Sequence, residues 1–214
     1  MDTNNLIEKL TKDLKPVRAL PAPAFRAMGA SFIGIIAVIV AVRAFHGPRI
    51  DVQAAMQNTD FIVGDLLMLV GGLLAAFAAA TLVVPDTRLR YSVSVPLGLS
   101  TFIWLALSLH AMLHLTMNDM QAALHENNSC TQGLIFLSLV PIGLSLILAL
   151  RGAPVWRGLA GYALTLSMTS FAGIGMRFLC PGDAPAHLLV WHFLPVLGLS
   201  VVGIALGRIA LQRR

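Results

Sequence analysis

The chain alternates six long apolar segments with short polar connections. At a rise of 1.5 Å per residue, a helix of about 20 apolar residues crosses the hydrocarbon core of a bilayer. The six segments are Ala27–Phe45, Phe61–Val84, Val95–Leu115, Thr131–Leu150, Val155–Leu179 and Ala186–Leu206. This pattern predicts an all-α fold, a polytopic membrane helix bundle with six transmembrane helices.

Three prolines lie within or near the starts of predicted spans: Pro96, Pro141 and Pro195. A proline in a helix lacks the N–H that would bond to the carbonyl four residues earlier. In a membrane bundle, side chains of neighbouring helices can bond to such a freed carbonyl. We therefore expect kinks that the surrounding helices accommodate.

Composition supports a membrane protein. Hydrophobic residues make up 57% of the chain and charged residues 12%, and the mean hydropathy is +0.80. Soluble domains carry roughly 45–50% apolar and about 25% charged residues. A soluble fold with this composition would expose large apolar patches and aggregate, whereas a bilayer solvates them.

The distribution of lysine and arginine predicts the orientation. Twelve of the 15 flank the N-terminus, the C-terminus and the two even-numbered connections, and three flank the odd-numbered connections. Because cytoplasmic loops carry the excess of basic residues, both termini are expected to be cytoplasmic. The formal net charge of +5 thus reflects topology, and direct binding of nucleic acid is not expected.

Residues 1–26 form the longest predicted cytoplasmic segment, and residues 27–214 form the predicted membrane domain. The segment Asp2–Lys15 reads as a helix that Pro16 ends. Its apolar residues recur at helical spacing and form one stripe: Leu6, Ile7, Leu10 and Leu14. A basic amphipathic helix of this kind can rest on anionic lipid or dock onto a partner protein, and spacing alone leaves both open.

Candidate metal ligands collect at the outer ends of the spans. Both cysteines, Cys130 and Cys180, fall there, and so do all six histidines, of which His110 and His114 share a helix face. Thiolate and imidazole ligands suit zinc and copper, which makes Cys130, Cys180, His110, His114 and His125 candidate ligands. The alternative is a disulfide in an oxidising compartment, with the histidines as interfacial polar residues.

Asp65 is the one acidic residue inside a predicted span, where ionisable groups are candidates for function. His192 enters the last span from the same side and is a candidate partner for it. A small membrane transporter or metal-permease component would use Asp65, His110, His114 and His192 as a pathway. No phosphate loop, HExxH or GxSxG motif occurs, so no enzyme is expected.

The N-terminal pattern and the outer cysteines resemble one family. The chain opens MDTNNLIEKL, continues through DLKPVR to Leu20, and places Pro181 after the second outer cysteine. This layout resembles the NrsF family, whose name stands for negative regulator of sigma F. Members are bacterial inner-membrane proteins of about this length with six spans.

The resemblance implies a membrane-bound anti-sigma factor. It would sequester an extracytoplasmic-function sigma factor and release it on a periplasmic heavy-metal or redox signal. Cys130 and Cys180 would sense that signal, with transient soft-metal binding in place of a resident cofactor. The implied sigma-binding residues are Leu6, Ile7, Leu10, Lys12, Leu14, Lys15, Val17 and Arg18.

Overall fold

The computed structural model describes residues 3–12, 21–44, 47–84, 90–125 and 129–212. In chain order the α-helices are α1 (Thr3–Thr11), α2 (Pro23–Ala44), α3 (Val52–Ala55), α4 (Thr59–Leu82), α5 (Arg90–Leu113), α6 (Met117–His125), α7 (Ser129–Ala149), α8 (Arg157–Leu179), α9 (Pro185–Leu188) and α10 (Leu194–Ala210). A π-helical turn, Leu189–Phe193, joins α9 to α10.

Within the described residues, six helices are long and apolar enough to cross a membrane: α2, α4, α5, α7, α8, and α9 through α10 as one continuous segment. This confirms the predicted all-α fold with six spans. The first long helix begins at Pro23, four residues before the predicted start at Ala27. Proline suits the first turn of a helix, and the guanidinium of Arg26 donates to the carbonyl of Ala80 at 2.5 Å, so the basic residue is accommodated inside the helix.

Helix α8 occupies the centre of the bundle. In its most apolar window 83% of the residues are buried, against 28–44% in the other five spans. It packs against α2, α4, α7 and α10. Several of its buried polar groups bond locally or across the bundle, as in the hydrogen bond of 2.9 Å from Trp104 Nε1 to Ser170 Oγ. A helix enclosed by protein can carry such groups because none of them faces lipid.

Small residues let α8 and α10 approach closely. A Cβ added at Gly161 would collide with the backbone of Gly203 and Gly207, and one added at Gly207 would lie 2.8 Å from Gly161 Cα. Glycine at these three positions therefore permits a helix contact that any larger residue would block. Close packing of this kind replaces the hydrophobic effect as the force that joins helices in lipid.

One end of the bundle holds both cysteines, and we call it the cysteine end. It comprises the ends of α2, α5 and α8 and the starts of α4, α7 and α9, together with the short helices α3 and α6. The opposite end holds the starts of α2, α5 and α8 and the end of α10. Helix α1 precedes α2 in the chain.

Candidate functional site

Two cysteines from consecutive helices meet at the cysteine end. Cys130 lies in the first turn of α7, and Cys180 follows the last residue of α8. Their Sγ atoms are 2.7 Å apart, both side chains are buried, and no disulfide joins them in this structure. The pair can therefore close a disulfide, or bind one cation through two sulfurs, after small movements of two helix ends.

His187 contacts the same sulfur from the following helix. Its Nε2 atom lies 3.1 Å from Cys180 Sγ, and its ring is buried. The loop between α8 and α9 passes close to the ring: a Cβ at Gly182 would lie 2.7 Å from His187 Cδ2. The absence of a side chain at Gly182 is thus what lets His187 reach the cysteine.

The π-helical turn places His192 beside this group. Leu194 N–H donates to the carbonyl of Leu189, five residues earlier. Pro195 explains the departure from α-helix, because it has no N–H to donate to the carbonyl of Trp191. Thr131 Oγ1 donates to that carbonyl at 2.9 Å instead. The wider turn brings the rings of His187 and His192, which are five residues apart, to a centroid distance of 5.4 Å.

No hydrogen bond of normal geometry reaches either ring nitrogen of His192 among the described residues, although the side chain is only 1% exposed and its ring interacts with the Cys180 thiol. Leaving a buried polar group unsatisfied costs roughly 1–3 kcal/mol. Native proteins seldom accept that cost without a compensating role. An imidazole held in this way is suited to bind a ligand that the protein atoms alone do not supply.

The four side chains Cys130, Cys180, His187 and His192 form what we call the Cys/His cluster. One ligand atom from each can be chosen so that all lie within 4.8 Å of one another, and all four residues are buried. Two thiols and two imidazoles form the donor set of tetrahedral zinc sites. The same thiols can instead give two electrons to an oxidant and form a disulfide.

The cluster favours the ionised thiol of Cys180. The adjacent Cys130 thiol, together with the His187 imidazole, holds the pKa of Cys180 well below its usual range, against the opposing effect of burial. The thiolate is the form that binds metals and attacks oxidants. The local structure thus prepares this cysteine for either reaction.

Arg49 ties the loop after α2 to the backbone around Cys180. Its N–H donates to the carbonyl of Phe178 at 2.8 Å, and its Nη1 donates to the carbonyl of Cys180 at 3.0 Å. Its guanidinium also pairs with Asp51 at 2.7 Å and with Asp183 at 2.5 Å. These carboxylates raise the pKa of Arg49, which therefore stays charged, and Arg49 in turn lowers the pKa of Asp51.

A buried ion pair lies next to this loop. Arg177 Nη1 donates to Asp65 Oδ1 at 2.9 Å, and its guanidinium carbon lies 4.3 Å from the centroid of the Phe61 ring. Asp65 therefore pairs with Arg177, and the predicted pairing with His192 is wrong. His192 belongs instead to the Cys/His cluster. The structure therefore shows no contact between Asp65 and His192, two of the residues through which the transporter pathway was predicted.

Two of the predicted histidine ligands, His110 and His114, do not belong to the Cys/His cluster. His110 and His114 pack on each other, with ring centroids 4.7 Å apart. Together with Arg177 they line a cavity of about 610 Å³ that neither cysteine lines. His125 ends α6, and its side chain lies outside the described residues. The sequence analysis placed His187 and His192 among the six outer histidines but did not select them as ligands. A spacing of five residues would put two side chains on different faces of a regular α-helix, so the spacing gave no sign of their meeting.

The predicted partner-binding residues fall only partly within the described chain. Leu6, Ile7 and Leu10 lie on α1 and are 41–65% exposed, and Lys12 directly follows the helix and is also exposed. The structure begins the helix at Thr3 and ends it at Thr11, short of the predicted end at Lys15. Leu14, Lys15, Val17 and Arg18 lie outside the described residues.

Comparison with known proteins gives a consistent result. The family model described as "Negative regulator of sigma F" matches residues 10–212. A curated protein of Caulobacter vibrioides named "Anti-sigma-F factor NrsF" is 28% identical over 215 residues, which cover 97% of this chain and 98% of the relative. No solved structure matches the chain.

Proposed function

Because the chain belongs to the NrsF family of negative regulators of sigma F, we propose that it is an anti-sigma factor of the bacterial inner membrane. It holds an extracytoplasmic-function sigma factor through its cytoplasmic N-terminal segment, and a periplasmic signal at the Cys/His cluster releases it. The match of the family model to residues 10–212 is the observation that carries this proposal.

The N-terminal segment, residues 1–26, provides the sigma contact. Its helix α1 exposes Leu6, Ile7 and Leu10 on one stripe, an arrangement suited to a hydrophobic groove on a partner. Three basic residues follow this stripe in the sequence and add positive charge to the proposed contact: Lys12, Lys15 and Arg18. Basic residues at the rim would steer and orient the complex, while the leucines supply most of the binding energy.

The orientation follows from the basic residues. With the N-terminus cytoplasmic, the cysteine end faces the periplasm, where oxidants and metals reach the protein first. Twelve of the 15 lysines and arginines then flank cytoplasmic connections and termini. The signal and the sigma factor thus act at opposite ends of the bundle, and the helices have to transmit the change between them.

Helix α2 is the proposed transmitting element. It has 22 residues and is therefore about 33 Å long, and its first turn, residues 23–26, belongs to the N-terminal segment. At its other end, the loop that carries Arg49 is hydrogen-bonded to the backbone of Phe178 and Cys180. A disulfide would draw the two sulfurs closer than their present 2.7 Å, whereas a bound cation would move them further apart. Either event displaces Cys180 and therefore acts, through these hydrogen bonds, on α2 and on the segment that holds the sigma factor.

The signal is a reaction of the thiols. In oxidation, two thiols lose two electrons and two protons to the oxidant and form one disulfide. In metal capture, the thiol protons leave to solvent and both sulfurs bind the cation. Either event fixes the start of α7 against the end of α8, so one mechanism covers both kinds of stress.

Co-purification of the full-length chain with a candidate sigma factor tests the proposal. Burying a leucine contributes roughly 1.5–3 kcal/mol, so Leu6→Ala with Leu10→Ala is expected to weaken binding by about two orders of magnitude or more. The matched control is Leu105→Ala with Leu109→Ala, an exposed pair with the same spacing on α5. A wild-type chain that retains no sigma factor, or equal binding by both variants, contradicts the proposed contact.

A further inference from the structure

Only two members of the Cys/His cluster are needed for thiol oxidation, and the fold nevertheless brings two buried histidines to them. In a disulfide between Cys130 and Cys180 neither imidazole would bond to sulfur, and the part of the histidines would be limited to stabilising the thiolate that attacks the oxidant. The π-helical turn keeps His192 beside the cysteines, where no hydrogen bond of normal geometry reaches its ring nitrogens among the described residues. Turns of this kind inside α-helices frequently mark functional sites.

We propose that Cys130, Cys180, His187 and His192 form a tetrahedral site for one divalent zinc-like cation. The inference deepens the proposed function by naming the ligands of the metal signal, and it rests on that function only for the effect on the sigma factor.

The distances suit such an ion. Zinc bonds of about 2.3 Å to sulfur and about 2.0 Å to nitrogen, at tetrahedral angles, separate ligand atoms by about 3.3–3.8 Å. The four ligand atoms already lie within 4.8 Å of one another, with Cys130 Sγ and Cys180 Sγ at 2.7 Å and Cys180 Sγ and His187 Nε2 at 3.1 Å. Small adjustments of side-chain torsions therefore convert this packing into coordination.

The charges balance as well. Both cysteines bind as thiolates, and any thiol proton still present leaves to solvent, whereas the two imidazoles bind as neutral groups. One divalent cation and two thiolates have no net charge, which suits a site where all four residues are buried. His192 would then use a ring nitrogen that no hydrogen bond of normal geometry reaches among the described residues.

Three different helices supply the ligands, which gives binding a structural effect. Cys130 belongs to α7, Cys180 terminates α8, and the two histidines precede α10. Occupation by one ion therefore fixes three of the six spans at the cysteine end. A disulfide would join only α7 to α8, so the bound metal links one more span than the disulfide does.

Metal titration of the full-length chain, purified in detergent under reducing conditions and freed of metal by a chelator, tests the site. We expect one Zn²⁺ per chain, and Co²⁺ in its place should give the visible and thiolate charge-transfer bands of a tetrahedral S₂N₂ site. His187→Ala with His192→Ala should weaken Zn²⁺ binding by more than about 100-fold, beyond the usual cost of losing an outer-shell partner. His110→Ala with His114→Ala is the matched control and should bind Zn²⁺ as the wild type does.

X-ray absorption of the Zn²⁺-loaded wild-type chain tests the ligands without any variant. Two sulfurs near 2.3 Å and two imidazole nitrogens near 2.0 Å are expected. A shell without imidazole, no Zn²⁺ binding, or equal binding by the two histidine variants overturns the site. Because none of these measurements involves the sigma factor, they can fail while sigma binding succeeds, and the reverse also holds.

Discussion

The Nη1 atom of Arg49 donates a hydrogen bond to the backbone carbonyl of Cys180 at 3.0 Å. This bond joins a loop at the end of α2 to a residue of the Cys/His cluster that is 131 positions later in the chain. Arg49 also binds two carboxylates, which hold its planar guanidinium in a fixed orientation. Among the described residues, this bond connects the cluster to the loop that follows α2, the helix whose first turn belongs to the N-terminal segment.

Arg49→Gln should impair the response to the signal while leaving repression of the sigma factor intact. The variant loses both carboxylate contacts, but the side chains of Asp51 and Asp183 are 53% and 36% exposed and can be hydrated, so we expect the fold to survive. Repression of a sigma-dependent reporter should persist, and induction by a thiol oxidant should fall severalfold. Arg43→Gln, which removes an exposed arginine from the same helix end, should respond normally. Full induction in Arg49→Gln would exclude the proposed route through α2.

The buried ion pair of Asp65 and Arg177 can be tested with a double-mutant cycle that measures thermal stability. Removing one partner of such a pair costs roughly 3–5 kcal/mol, because the other charge stays buried without compensation. Asp65→Leu or Arg177→Met alone should therefore lower the unfolding midpoint in detergent by roughly 10 °C. The double replacement should recover most of the loss. Additive effects of the two changes would show that the ion pair does not couple these residues.

The contact between α8 and α10 predicts a position-dependent effect of one methyl group. In Gly207→Ala the new Cβ would lie 2.8 Å from Gly161 Cα and closer still to the carbonyl of Arg157. Overpacking of this kind costs roughly 1–3 kcal/mol. Gly198→Ala on the same helix is the control, since nothing lies within 4 Å of its Cβ. Thermal unfolding of the two variants in detergent should show destabilisation only for Gly207→Ala.

Gly182→Ala should disturb the metal site without removing a ligand. The added Cβ would lie 2.8 Å from His187 Nε2 and displace the ring from Cys180. Zn²⁺ affinity should fall by roughly tenfold or more, the scale on which outer-shell changes act. Gly98→Ala, whose Cβ meets nothing within 4 Å, should leave the affinity unchanged. Unaltered affinity in Gly182→Ala would mean that His187 does not bind the ion.

The sequence predicted the spans well because hydrophobic length is a local property. The short helix α6 also had a readable signal, since Thr116 and Asp119 form reciprocal bonds at its start, a capping pattern of residues three apart. Sequence reasoning treated that stretch only as a connection. The capping pattern marks where the helix begins even though its composition is mixed.

The Cys/His cluster was only half predictable. The connections place Cys130 and Cys180 at the same end of neighbouring helices, and Pro195 marks Trp191 as the residue whose carbonyl is freed. The sequence does not reveal that the helix would respond with a π-helical turn directed at the cysteines. That outcome depends on Thr131 of another helix, which donates to the Trp191 carbonyl, and such a contact exists only after packing.

Release of the sigma factor on oxidation of the cysteines tests the central claim most directly. The complex of the full-length chain and its sigma factor is immobilised in detergent and treated with diamide, which accepts two electrons and two protons as the disulfide forms. Before diamide is added, the wild type and the Cys130→Ser, Cys180→Ser double variant should bind the sigma factor equally well. After diamide is added, the account predicts that the wild type releases the sigma factor and that the double variant retains it. Release from the double-serine variant at the wild-type level would contradict the account, and so would retention by a wild-type chain whose disulfide has formed.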